Sequence, residues 1–207
     1  MSFSSDRLVW VDCEMTGLDV ERDDLIEIAV IVTDYDLTPL DAGIDLIIRP
    51  RAEALAAMGD FVRDMHTTSG LIDELTGGIS LADAEHRVLE YVRSHVPEAR
   101  KAPLAGNSIG TDRAFLTRYM PALDAHLHYR NVDVSSIKEL AKRWYPRAYF
   151  ASPSKNSGHR ALADILESIL ELRFYRRAVF VPGTGPSSAD LKTLATTVTD
   201  EFNPKLV

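Results

Sequence analysis

At 207 residues, 45% of them apolar and 26% charged, the chain is long enough for one sizeable core and has the composition of an ordinary globular protein. Its net charge of −8, from 23 Lys and Arg against 31 Asp and Glu, is the wrong sign for gripping a long nucleic-acid backbone, but it leaves room for a short anionic substrate held by a metal and a few donors. No apolar run reaches the length of a membrane span, the N-terminal MSFSSDR lacks a signal peptide's apolar core, and the single Cys13 excludes an internal disulfide, so a cytoplasmic setting is expected.

The first third of the chain reads as sheet. Leu8–Asp12 is apolar up to its last residue, Ile26–Thr33 (IEIAVIVT) is rich in β-branched residues, and Ile44–Arg49 stops at Pro50. Short connections containing Gly17, Asp23 and Pro39 suit antiparallel neighbours. Ser80–Val96 opens on a Ser cap and sets Leu81, Ala84, Val88, Leu89, Val92 and Val96 near one helical face. A short strand at Pro103–Ala105, a helix from Thr111 to Tyr119, a strand at Asn131–Val134 and a helix from Ser135 to Trp144, stopped by Pro146, come next in order. Ala148–Gly158 reads as loop. A last long helix runs from His159 through Phe174, with Leu162, Ile165, Leu166, Ile169 and Leu172 on its apolar face. From Pro182 the composition is that of a flexible linker, with a short helix at Ser188–Thr197. Three sequential strands, then strands alternating with helices, predict an α/β fold with a mixed five-stranded sheet flanked by helices.

The stretch WVDCEMTGL ends an apolar strand in two carboxylates. Residues two apart on a strand share a face, so Asp12 and Glu14 project together and Cys13 points away. At about 4 Å such a pair repels by roughly 4 kcal/mol at an effective dielectric near 20. A fold holds it by keeping one proton, by placing a cation between the charges, or by hydrating both at a strand end. Two further acids stand where helices begin. GNSIGTD puts Asp112 in a first helical turn, a position also common for a simple helix-dipole partner. HRALAD puts Asp164 beside the apolar stripe of the last helix, where a carboxylate needs a partner. His159, five residues before it, is a candidate base.

Asp-x-Glu on a first strand, Asp in a middle helix and His-x4-Asp on a late helix resemble the DEDDh family of 3′–5′ exonucleases, which have a ribonuclease H-like fold. The blocks WVDCEMTGL, GNSIGTDRAFL, YRNVDVSSIKEL and HRALADI, in that order, resemble its oligoribonuclease branch over residues 7–178. The resemblance implies hydrolysis of very short RNA, dinucleotides above all, to 5′-mononucleotides. It implies a site for two divalent cations, Mg²⁺ or Mn²⁺, on Asp12, Glu14, Asp112 and Asp164, with Asp12 shared by both ions. His159 would be the general base.

By the same resemblance, Leu18 would wedge between two bases and Phe61 would stack on one, in place of the family's usual Trp. Ser108, Ser135 and His66 would surround the 5′-phosphate, and Tyr129 and Arg130 would act from the other subunit of a homodimer. Each of these also has a plainer reading: Leu18 and Phe61 as core or turn residues, Ser108 and Ser135 as loop and cap hydroxyls, and His66-Thr-Thr-Ser as a cap for the helix after it. The pair His126 and His128 reads as interface or loop, having no third nitrogen or sulfur ligand near in sequence. Residues 1–180 form the expected exonuclease domain and 181–207 a partly flexible extension. A broader exonuclease acting on longer RNA or DNA would favour an open basic groove, and the scattered Lys and Arg offer none. A non-catalytic binding module on the same fold would have lost one of the acids or the histidine; all five are present.

Overall fold

The structure, a computed structural model, describes residues 6–154 and 158–202. Strands β1 (Arg7–Met15), β2 (Leu25–Asp34) and β3 (Ile44–Ile47) come first, then helices α1 (Ala52–Ala57), α2 (Asp60–Thr68) and α3 (Leu71–Glu74). Next are α4 (Leu81–His95), β4 (Pro103–Gly106), α5 (Gly110–Tyr119), α6 (Pro121–His126) and β5 (His128–Asp133). The described chain closes with α7 (Val134–Trp144), α8 (Pro146–Phe150), α9 (Ala161–Ala178) and α10 (Ser188–Glu201). The strands form one five-stranded sheet in the order β3-β2-β1-β4-β5. It is mixed as expected: β1–β2 and β2–β3 are antiparallel, β1–β4 and β4–β5 parallel.

The alternation of β1 divides the core in two. Val9, Val11, Cys13 and Met15 join a cluster with Val88 and Val92 of α4 and Phe115 and Leu116 of α5. Leu8 and Trp10 face the other way, onto Val134 and Ala141 of α7 and Ile165, Ile169 and Tyr175 of α9. Asp12 and Glu14 continue this second row, so the face that α9 covers is apolar at one end of the strand and acidic at the other. β2 is buried along nearly its whole length, which fits an apolar run interrupted by the single charge of Glu27. The indole N–H of Trp10 donates to Thr33 Oγ1 at 2.9 Å, so the largest core side chain leaves no polar atom stranded.

Several boundaries differ from the sequence expectations. β1 continues to Met15, β5 begins at His128, α9 begins at Ala161 rather than His159 and reaches Ala178, and α10 extends to Glu201. Leu166 is exposed, outside the stripe assigned to it. Pro146 both ends α7 and opens α8, so the expected loop from Ala148 starts helical; a proline at the first helical position leaves no lost hydrogen bond. Residues 155–157 of that loop lie outside the described residues, as do 1–5 of the N-terminal stretch and 203–207 of the extension. Helices α1, α2 and α3 had no counterpart in the periodicity. His66-Thr-Thr is the last turn of α2 and does not cap α3: the Thr67 and Thr68 hydroxyls return to Arg63 O and Asp64 O, and the cap position of α3 is Gly70.

Candidate active site

Three separate elements carry acids to the C-terminal end of β1. The strand itself supplies Asp12 and Glu14. The first turn of α5 supplies Asp112, whose Oδ1 accepts the backbone N–H of Cys13 at 3.0 Å and so lies at the backbone between the other two. The close approach of β4 and β1 that allows this depends on Gly106, since a Cβ there would stand 3.0 Å from Val11 O. The first turn of α9 supplies Asp164. Ligand atoms of Glu14, Asp164 and His159 all lie within 4.8 Å of one another.

The cluster is electrostatically strained. Burial, then the charges of Asp112, Glu14 and Asp164, push the Asp12 carboxyl up to about 9. Burial, then Glu27, Asp164 and Asp112, push Glu14 up to about 8. Asp112 rises to about 7, mainly through burial and in spite of the Cys13 N–H. Carboxylates that coexist at neutral pH only by keeping protons are a set of donors that a cation would relieve. A set of carboxylate oxygens suits hard divalent ions. The residues therefore fit the divalent metal that the resemblance implies. Cys13 points to the opposite face, buried in the other core cluster.

His159 has a left-handed backbone, φ 47°, a conformation uncommon for a residue with a Cβ. It lines a cleft of about 570 Å³ together with Phe61, Asp64, Met65, Thr68 and Ser69 of α2 and its C-terminal edge. Phe61 is 81% exposed, so it is no core residue. Leu18 is 78% exposed at the tip of a tied loop, in which Thr16 N–H donates to Asp24 O at 3.0 Å and Tyr119 OH to Asp23 O at 2.7 Å.

His66 is fully buried. Its Nε2 donates to Met15 O at 2.9 Å, while Nδ1, without a hydrogen-bond partner, sits 3.9 Å from Glu14 Oε2. Burial, and in smaller part His159, lowers its pKa, favouring the neutral ring. It makes no hydrogen bond to the two serines grouped with it by resemblance. Those two do meet: Ser108 Oγ and Ser135 Oγ are 3.2 Å apart. Their backbone N–H groups both donate to Asp133 Oδ1, at 3.1 and 2.8 Å; the Ser135 hydroxyl also accepts the Ser108 N–H at 3.0 Å and donates to Asn107 Oδ1 at 2.9 Å, which leaves the Ser108 hydroxyl the freer of the two. Ser108 shares the left-handed backbone of His159, φ 50°. Tyr129 is 73% exposed on the edge strand β5, with the Arg130 guanidinium carbon 5.4 Å from its ring centre. His126 is buried and donates to Val96 O at 2.8 Å, so its ring is structural.

Sequence reasoning passed over Glu27, Arg160, Asp133 and Asn107, all of which contact this region. Glu27 had a visible signal: it is a lone charge inside IEIAVIVT. Asp133 and Asn107 had none, because their roles depend on the β4–α5 loop folding against α7.

The sequence profile of the exonuclease family matches residues 9–172, which include every acid of the cluster and His159. An oligoribonuclease of Leifsonia xyli subsp. xyli is 61% identical over 206 residues, covering 100% of both chains. The chain belongs to the oligoribonuclease family. A second relative, the oligoribonuclease of Streptomyces griseus, is 63% identical over 191 residues, covering 92% of this chain and 95% of its own. As a member of that family the chain is an enzyme, a 3′–5′ exoribonuclease. Among solved structures, exonuclease I aligns with a TM-score of 0.65 at 14% identity, over 84% of this chain and 41% of its own. Exonuclease I of Methylocaldum szegediense aligns at 0.59 and 20%, again spanning 41% of that longer protein. These two share the fold, and the expected ribonuclease H-like exonuclease architecture is the one observed. Among the described residues no helix is long and apolar enough to cross a membrane.

Proposed function

We propose that this oligoribonuclease-family chain hydrolyses very short RNA, dinucleotides above all, to 5′-mononucleotides at the acidic cluster, with two divalent cations and His159 as general base. The observation that carries the reading is the convergence of Asp12, Glu14, Asp112, Asp164 and His159 from three elements onto the end of β1. Asp12, which the charges of all three other acids reach, would help hold both ions. Glu14 and Asp164 would hold one ion and Asp112 would support the other, Mg²⁺ or Mn²⁺ in each case. When bound, the cations polarise the scissile phosphate, acidify the attacking water and stabilise the departing 3′-oxygen. His159, close to both Glu14 and Asp164, takes the proton from that water.

The ends of the substrate are met by exposed groups on tied backbone. Leu18 wedges between two bases and Phe61 stacks on one across the cleft from His159. The Ser108 and Ser135 hydroxyls take the 5′-phosphate, joined by Tyr129 and Arg130 of a second copy in a homodimer. His66 closes the same small site, but a neutral ring with a bare Nδ1 toward Glu14 suits a hydroxyl donor better than a phosphate. The acidic surface agrees with a substrate of few phosphates. A cytoplasmic setting agrees with the unpaired, buried Cys13.

Cleavage of a 5′-phosphorylated RNA dinucleotide with Mn²⁺ tests the assignment. EDTA and Asp12→Ala should each abolish turnover. His159→Ala should lower it by on the order of 10²–10⁴-fold, the usual worth of a general base. Wild-type turnover by Asp12→Ala would refute the metal site.

A further inference from the structure

Glu27 is fully buried on β2, directly across from Glu14 in the β1–β2 register. An ionised carboxylate in that place needs paired charge and hydrogen bonds. Both of its oxygens reach one short segment, and the Asp45 side chain of β3 also hydrogen-bonds to it. Oε1 accepts Arg160 Nε at 2.9 Å, and Oε2 accepts the backbone N–H of Ala161, the first residue of α9, at 3.2 Å. The cap residue of α9, Arg160, has no side-chain cap bond of its own, so a carboxylate from the sheet satisfies one of the free N–H groups of this helix. Arg160 then continues outward to Glu74 at the end of α3, with contacts of 2.8 and 3.3 Å. Immediately before this clamp stands His159 in its left-handed conformation. Three residues beyond Ala161 stands Asp164.

We infer that the chain Glu27–Arg160–Glu74 is the positioning device for the reaction: it fixes the first turn of α9 against β2, and with it the separation of His159 and Asp164 from Glu14. This rests on the function proposed above and assigns that site its supporting residues. None of the three touches the reacting atoms. The clamp acts through the backbone it holds.

A purely structural ion pair predicts a different pattern from a positioning one. Glu74 is at the surface, where losing an ion pair costs little stability, yet it is the outer end of the clamp. The experiment is the kcat and KM of wild type, Arg160→Ala, Arg160→Lys, Glu74→Gln and Arg160→Ala/Glu27→Gln on 5′-phosphorylated RNA dinucleotide at saturating Mn²⁺, with Tm for each. Arg160→Ala should lower kcat by about 10- to 100-fold, as small misplacements of catalytic groups do, with KM changed less than about twofold. Arg160→Lys should recover part of that loss. Glu74→Gln should lower kcat by roughly threefold at unchanged Tm, and adding Glu27→Gln to Arg160→Ala should cost little more, as expected of residues acting as one unit. Should Arg160→Ala fail to fold, Arg160→Lys and Glu74→Gln decide the matter. Wild-type kcat in the soluble Arg160 and Glu74 variants, whatever their Tm, would overturn the inference. If the wild type spares the dinucleotide but cleaves longer RNA, the short-substrate reading fails and the same variants are scored on the longer RNA.

Discussion

Asp12 and Glu14 could be placed from sequence because a strand has a period of two, and the structure extends their row from Leu8 and Trp10 without a break. Their chemistry comes from the company they keep. With no cation bound, Asp112, Glu14 and Asp12 have pKa values raised to about 7, 8 and 9. A carboxyl whose folded pKa is raised contributes stability while it is protonated and loses it as pH rises through the folded value. The metal-free protein should therefore lose stability as pH rises from about 4, where these carboxyls titrate in the unfolded chain, to about 9, and the Tm gained on adding Mn²⁺ should grow over the same window. Thermal unfolding in EDTA and in Mn²⁺ at both ends of the window checks this; a metal-free Tm that rises with pH would contradict it. Phe61 makes a second case. It stands exposed in the cleft with His159, and if it stacks on a base as proposed, a larger ring should stack better. Phe61→Trp should lower the dinucleotide KM by about two- to fivefold, a fraction of the worth of a full base–aromatic stack. His66 marks the limit of reading at this scale: the sequence shows a histidine, while its burial against Met15 and Glu14 depends on where α2 packs.

Elements with a strong period were legible, and those made by tertiary context were not. β1, β2, α4 and α9 each carry an apolar row long enough to announce itself. α1, α3 and α8 have between four and six residues, too few to be stable alone, and they form because neighbours and caps support them. α2 was missed as well: Phe61, Val62 and Met65 do share one helical face, but three apolar residues in nine make a row too short to stand out. The β4–α5 loop is the element whose strain can be tested. Ser108 holds φ 50°, a conformation glycine adopts at no steric cost. Ser108→Gly should relieve strain of about 1 kcal/mol while removing the hydroxyl. If that hydroxyl meets the 5′-phosphate, the variant should stay at least as stable as wild type, yet lose most of the preference for 5′-phosphorylated over 5′-hydroxyl dinucleotide. An unchanged preference would remove Ser108 from the phosphate site.

At the scale of the molecule, the sheet ends in β5, an open edge that presents Tyr129 and Arg130 to solvent. If they act on a second copy, as proposed, activity per chain should fall on dilution below the dissociation constant of that dimer. α10 has no buried residue, so it adds nothing to the core, and the extension from residue 181 should be dispensable for folding. A chain ending at residue 180 should keep its Tm within about 2 °C, since a stability change well under 1 kcal/mol moves Tm by no more than that in a domain of this size. Every role given to the groups at the substrate's ends depends on a closed site for very short RNA. The decisive measurement is kcat/KM on 5′-phosphorylated RNA of two to about ten nucleotides, under one set of Mn²⁺ conditions, because discrimination between substrates is a ratio of these constants. A closed site gives a sharp maximum at the dinucleotide, with a loss of about tenfold or more by a handful of nucleotides. A kcat/KM that stays level or rises with length would mean an open site, and would remove Leu18, Ser108 and Tyr129 from the roles given to them.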